Sequence, residues 1–331
     1  MAGRLSDVVR VVGARRQGNV YVAKCPFHDD GGRPNLVLYS DHYHCFVCGA
    51  HGGFGKLLER FGVPSLKASP DASPSVLEFR SPPPPPAEPS RINLANKALI
   101  EALVLSDEHR DQLRARGFED GWIDWAEYRS LPPGSRVDLS AKVSAIVPLD
   151  SVPGWYMRDD GSRSLAGPSG ILIPIRDISR NVRGFQIRRD EKAGSSRYSW
   201  LSSSGRPQGA SAKASAHVSF PMSGDQDLRC LWVTEGPLKG DYLSARVGAV
   251  CVSVPGVSLW RLAVKESVHS ERVNLAFDMD ESEASIAAVR AAEEGFCSAV
   301  SWARIRKMRW AEAKGVDDAL EIGGVLDWET D

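Results

Sequence analysis

Cys230-Leu-Trp-Val-Thr-Glu235-Gly236-Pro-Leu-Lys239-Gly-Asp241-Tyr-Leu passes from a short apolar run into a helix across a single Glu-Gly step. The apolar run reads as a buried strand, and proline in the first turn suits the helix Pro237–Arg246. Further strands are expected at Ala249–Val254, at Val273–Phe277 (ending on Asp278-Met279-Asp280) and at Ser298–Ile305. A helix is expected over Ser282–Glu294, and another opens at Lys314-Gly-Val-Asp317-Asp318. Strands alternating with helices predict a parallel α/β sheet, whose sites lie at the carboxyl ends of its strands. Glu235, Asp278 and Asp280 all sit at such ends. Period-two alternation would send Asp278 and Asp280 the same way. Converging carboxylates call for a divalent cation, and hard oxygen ligands favour Mg²⁺ or Mn²⁺. Helix N-terminal acids stabilised by the macrodipole would account for Glu281, Glu283 and one of Asp317 and Asp318, but not for the whole pattern.

Upstream, Gly170–Glu191 holds two β-runs, Ile171–Ile175 and Gly184–Ile187, around a turn at Ser179-Arg180-Asn181, which predicts a hairpin. Asn93–Leu105 and Asp107–Arg116 read as helices, with Ser106 as N-cap of the second. Residues 65–90 are rich in Pro, Ser and Ala and read as an extended spacer.

Before the spacer, Cys25-Pro-Phe-His28 is followed, after sixteen residues, by Cys45-Phe-Val-Cys48-Gly. Two ligand pairs, each separated by two residues, are what a tetrahedral zinc site needs. The intervening segment is long enough for a hairpin, and Phe54, Leu57 and Leu58 are expected to pack beneath the metal turns. His42, His44 and His51 are rival ligands by residue type, and His42 and His44 read as surface residues or as partners behind the ligands. Cys230, Cys251 and Cys297 lie alone in apolar runs and read as small hydrophobes.

The chain is 25% charged and 42% hydrophobic, with a net charge of −1. That balance conceals an asymmetry. Residues 1–63 carry 8 Lys and Arg against 5 Asp and Glu, residues 176–213 carry 9 against 3, and residues 226–331 carry 12 against 18. A basic strip beside an acidic third suits an enzyme that holds a polyanion near a cation site. No apolar run approaches a membrane span, and the N-terminus lacks a secretory core, so a reducing cytoplasm is the expected compartment. No GxxxxGK[ST] phosphate loop occurs in the sequence.

The segment from Cys25 to Gly62 resembles the zinc-binding domain of DnaG-type primases and phage primase-helicases. Thr234-Glu-Gly-Pro-Leu-Lys-Gly-Asp241, Phe277-Asp-Met-Asp280 and Lys314-Gly-Val-Asp-Asp318 resemble the three acidic motifs of the TOPRIM domain. Leu113–Gly134 and the basic hairpin resemble the elements leading into the primase core. At Lys239 the family often carries an acid; here the nearest acid is Asp241, and the run is similar to a variant found in mobile-element and phage primases.

The resemblance implies an α/β chain with a zinc ribbon at residues 1–63, a linker at 64–90, a central α+β basic subdomain at 91–225 and a TOPRIM sheet at 226–331. It implies zinc held by Cys25, His28, Cys45 and Cys48. Two Mg²⁺ or Mn²⁺ ions are implied at Glu235, Asp278, Asp280 and Asp317, with Glu235, Asp278 and Asp280 catalytic. Arg183, Arg188, Arg189, Lys192 and Lys239 are the expected contacts to nucleic acid or nucleotide, with Arg188, Arg189 and Lys192 facing the metal cleft. Phe46 and Tyr43 are expected stacking surfaces for bases. The implied activity is synthesis of primers on single-stranded DNA from nucleoside triphosphates for a phage, plasmid or other mobile element, with a separate helicase or initiator protein as partner. A TOPRIM nuclease and a non-catalytic single-stranded-DNA-binding initiation module are the alternatives.

Overall fold

The computed structural model describes residues 5–17, 20–27, 34–40, 42–45, 50–61, 85–193, 196–222, 226–279, 282–310, 313–323 and 327–329. The chain divides into two compact units, Met1–Ser81 and Pro82–Asp331. His28, Phe46, Cys48 and Asp280, with most of the spacer, lie outside the described residues.

In the first unit, α1 (Leu5–Val11) precedes an antiparallel five-stranded sheet. Its strands are β1 (Arg15–Gln17), β2 (Val20–Ala23), β3 (Leu36–Leu38), β4 (His42–Cys45) and β5 (His51–Gly53), paired in chain order, and α2 (Phe54–Arg60) follows. Phe54, Leu57 and Leu58 are buried beside Cys25, Cys45 and Leu36, as the sequence predicts.

The second unit opens with α3 (Pro89–Ala102), α4 (Asp107–Arg114) and α5 (Asp120–Ala126), followed by β6 (Arg129–Leu131) and α6 (Val137–Ser144). The Ser106 side chain caps α4, accepting from the His109 amide. A small hairpin, β7 (Trp155–Met157) with β8 (Arg163–Leu165), precedes β9 (Gly170–Arg176), β10 (Val182–Ala193) and β11 (Ser196–Trp200). These last three form an antiparallel sheet with β6, ordered β11-β10-β9-β6. The expected hairpin is therefore present as β9 and β10, and β11 extends it by a third strand.

The remaining elements are β12 (His217–Ser219), β13 (Cys230–Glu235), α7 (Pro237–Val247), β14 (Val250–Val254), α8 (Arg261–Glu266), β15 (Arg272–Leu275), α9 (Glu283–Ala299), β16 (Arg304–Arg309), α10 (Val316–Glu321) and β17 (Asp327–Glu329). They build a six-stranded sheet, ordered β12-β14-β13-β15-β16-β17, whose four inner strands are parallel and whose edge strands are antiparallel. Two sequence expectations shift. Helix α9 runs on to Ala299, and the strand expected at Ser298 begins at Arg304. The strand before Asp278 ends at Leu275, so strand alternation does not orient that carboxylate. Instead Thr234 Oγ1 donates to the Ala276 carbonyl at 2.7 Å and Ala276 N donates to Val233 at 2.7 Å, drawing the segment over β13.

The two halves of this unit share a core. Ile171, Ile173 and Ile175 of β9 pack with Leu113, Phe118, Trp122 and Tyr128 on one side and with Leu238 and Tyr242 of α7 on the other. Burying those isoleucines at about 25 cal/mol per Å² of apolar surface holds the basic hairpin against α7.

Candidate active site

Three neighbouring parallel strands, β13, β15 and β16, present their carboxyl ends side by side. Glu235 closes β13. The next residue, Gly236, has φ of +80°, a left-handed turn that glycine adopts without strain, and α7 starts immediately after it. Glu235 Oε2 accepts from the Val257 amide at 3.0 Å, which fixes the carboxylate against the segment following β14. Asp278 lies three residues beyond β15. Its loop is fastened to the third acidic segment, since the Met279 amide donates to the Lys314 carbonyl at 2.8 Å. Asp317 opens α10, and its neighbour Asp318 is exposed on the first turn. The fold thus gathers Glu235, Asp278 and Asp317 from segments 43 and 39 positions apart in the sequence.

Electrostatics inside the cluster are uneven. Burial, a hydrogen bond with Asp278 and the negative charge of Asp278 push the Glu235 carboxyl up to about 7, while Lys239 and the Val257 amide pull in the other direction. Lys239 Nζ makes an ion pair with Asp278 Oδ1 and lies 3.7 Å from Asp317 Oδ1. Among the described residues no three acids, histidines or cysteines converge as a ready metal cage. Two neighbouring carboxyls, one of them raised toward neutrality, are nonetheless oxygen donors of the kind a hard cation takes, and such an ion would relieve the repulsion between them.

One arginine reaches the carboxylates, and a second lies near it. Arg116, between α4 and α5, has a guanidinium nitrogen 3.6 Å from Asp317 Oδ2. Arg188 on β10 donates to Gln112 Oε1 at 2.7 Å. Burial, and then the nearby Arg197 and Arg116, hold the Arg188 guanidinium below its ordinary value although Tyr198 works against them. The expectation that Arg188 and Arg189 share the cleft is corrected here. Neighbours on a strand point to opposite faces. Arg188 pairs across the sheet with Ile171, on the side of α4 and α7, whereas Arg189 follows Phe185 and Ile187, which pack with α3 and α6. Arg183 is at the other end of β10, its Nε 3.8 Å from Asp177. The side chain of Lys192 lies outside the described residues. Arg116 went unassigned in the sequence reading, although the Arg-Gly pair that carries it was the available signal.

Asp241, the acid nearest in sequence to the family's usual position, turns away from the cluster. It is buried, accepts from the Tyr128 hydroxyl at 2.6 Å and lies 3.0 Å from His217 Nε2, so it is no ligand.

In the first unit, Cys45 and Tyr43 occupy the buried face of β4, while His42 and His44 alternate to the other face. His42 stacks on Tyr39, and His44 lies across from His51 in register. Cys25 is buried in the same core as Cys45, and Cys45 N donates to the Ala50 carbonyl at 2.8 Å. Two buried thiols in one core fit part of a structural zinc site. Tyr43 is fully buried and stacks on Phe27 at 5.5 Å, so it forms part of the core and is no platform for bases.

Residues 3–66 match the CHC2 zinc finger family. The chain has the zinc finger and the fold of a DnaG-type primase. The DNA primase of Thermotoga maritima is 26% identical over 302 residues, covering 83% of this chain and 51% of that protein. The chain thus spans about half the length of this relative. The crystal structure of the Aquifex aeolicus primase, comprising its zinc-binding and RNA polymerase domains, superposes with a TM-score of 0.53 at 16% identity, over 97% of this chain and 84% of that one. The structure of a DnaG primase catalytic domain bound to ssDNA superposes at 0.51 and 16% identity, over 71% of this chain and 78% of that one. No helix among the described residues is long and apolar enough to cross a membrane.

Proposed function

We propose that this chain makes short oligonucleotide primers on single-stranded DNA by cation-assisted nucleotidyl transfer. The observation that carries the reading is the meeting of Glu235 from the end of β13, Asp278 from the loop after β15 and Asp317 from the first turn of α10, with Arg116 3.6 Å from Asp317 and Arg188 on the neighbouring strand β10. Glu235, Asp278 and Asp280 would hold Mg²⁺ or Mn²⁺, with Asp317 completing the acidic rim. Such a cation, when bound, lowers the pKa of an attacking 3′-hydroxyl and offsets charge on the attacked phosphate. Arg188, with Arg197 and Arg116 beside it, binds the phosphates of template or incoming nucleotide, as guanidinium forks do. Cys25, His28, Cys45 and Cys48 would hold structural zinc, and the zinc finger would contact the template. The Glu-Gly-Pro-Leu-Lys run supports service to a phage, plasmid or other mobile element, with unwinding left to a separate helicase or initiator.

The test is primer synthesis on varied single-stranded templates with labelled nucleotides. Asp278→Asn should abolish product while single-stranded DNA binding is kept or slightly strengthened, since one negative charge near the phosphates is removed. The exposed Asp318→Asn should stay near wild-type yield. Unchanged yield in Asp278→Asn would remove the cluster from the chemistry, and cutting of the template without nucleotides would make the chain a nuclease.

A further inference from the structure

The acidic cluster carries a cation of its own. Lys239 lies in the first turn of α7, directly after the Glu235-Gly236 step, and its ammonium contacts Asp278 and Asp317 together. All three side chains are enclosed, at 14, 19 and 15% exposure. The backbone is shaped around them. A Cβ on Gly315 would lie 2.9 Å from Lys239 Nζ and 3.3 Å from Asp278 Oδ1, and would overlap Asp317 Oδ1, so the absence of a side chain there makes room for the group. Asp317 has a second cationic neighbour, Arg116, at its other oxygen. Both oxygens of Asp317 therefore face nitrogen cations.

A divalent ion placed between Asp278 and Asp317 would meet the ammonium on the same oxygens, at contact distance and with like charge.

We propose that Lys239 stands in place of one of two metal ions, so that this site takes a single Mg²⁺ or Mn²⁺ on the Glu235 side of Asp278. The inference rests on the reading of the cluster as a cation site. An ammonium has three N–H bonds. One is donated to Asp278, and Asp317 Oδ1 lies 3.7 Å from the same nitrogen, so the ammonium keeps a donor for a phosphate oxygen entering the cleft, the service a second metal would otherwise give.

The experiment is Mn²⁺ titration of the zinc-loaded full chain without DNA, read by electron paramagnetic resonance of the free ion, on wild type, Lys239→Met and Lys239→Asp. Wild type should bind one Mn²⁺ per chain. Lys239→Asp, which restores an acid at this position, should bind two, and Lys239→Met, which keeps the aliphatic stem, should show a second site with at least tenfold weaker affinity than the first. Two equivalent sites in wild type would overturn the proposal, as would a single site in Lys239→Asp whose circular dichroism matches wild type. No binding to wild type would instead overturn the reading of the carboxylates as a cation site. The wild-type count stands even if a variant does not fold.

Discussion

Tyr128→Phe removes one oxygen from a buried polar network in the second unit. Tyr128 donates to Asp241 Oδ2 at 2.6 Å, and His217 Nε2 meets Oδ1 at 3.0 Å, while the Arg176 amide donates to His217 Nδ1 at 3.0 Å. His217 Nδ1 is thus an acceptor and Nε2 the donor, which is the neutral tautomer. Side-chain exposure of His217 and Asp241 is only 3 and 6%, so water does not replace a lost donor. The network joins the residue before β6, the edge strand β12 and the helix α7. Burial alone would raise Asp241, but the His217, Tyr128 and Ser219 groups around it outweigh that effect and hold its carboxyl below the ordinary value. Phenylalanine keeps the ring, which packs edge-on against Phe118, and deletes only the hydroxyl.

A hydrogen bond to a buried charge contributes roughly 1.5–3 kcal/mol, and at about 2–4 °C per kcal/mol in a unit of this size the melting temperature should fall by about 3–12 °C. The measurement is thermal denaturation at pH 7, with primer synthesis assayed below the transition. Synthesis should persist, because Asp241 and Lys239 lie on opposite faces of α7. Since the folded carboxyl titrates below its unfolded value of about 3.9, the stability difference should be constant above about pH 5 and shrink only as pH falls through the depressed folded value, where Asp241 takes up its proton. A shift within about 1 °C would refute the argument that the hydroxyl satisfies a buried charge. Lost synthesis at unchanged stability would move Tyr128 into the chemistry.

Two further outcomes separate the faces and units of the molecule. Arg188→Ala should flatten the dependence of log K for single-stranded DNA on log salt by roughly 0.7, one phosphate contact, whereas Arg189→Ala, on the other face of β10, should leave the slope unchanged; equal effects would refute the assignment by strand pleat. Cys45→Ser should release the zinc measured by metal analysis and remove the melting transition of the first unit while that of residues 82–331 stays in place. Freshly purified wild type without zinc would refute the ligand set.

Local patterns of the sequence reach the rims of this site and stop where the chain must meet itself. Parallel strands buried on both faces are continuous apolar runs, so Cys230–Glu235 and Val250–Val254 are visible without the fold. The Glu-Gly step marks a strand end because only a left-handed residue joins that strand to α7. Ser298-Ala-Val300 could extend either a helix or a strand, and Phe296 and Val300, packed together into the sheet core, settle it as helix. The pleat of β10 was already enough to forbid Arg188 and Arg189 from sharing a face; what needed the structure was which face looks toward α7. Tyr128, His217 and Asp241 are 89 and 24 positions apart, beyond the reach of any spacing rule. Lys239 is the most instructive case. Its presence where the family often has an acid is plain in the sequence, and by charge alone it reads as one more contact for a polyanion. More follows once Asp278, from the loop after β15, and Asp317, from the first turn of α10, come beside it: their carboxylates engage the ammonium, so its charge is shared between the cluster and any phosphate that enters. A substitution inside a motif acquires its chemical meaning from the partners that the topology brings to it.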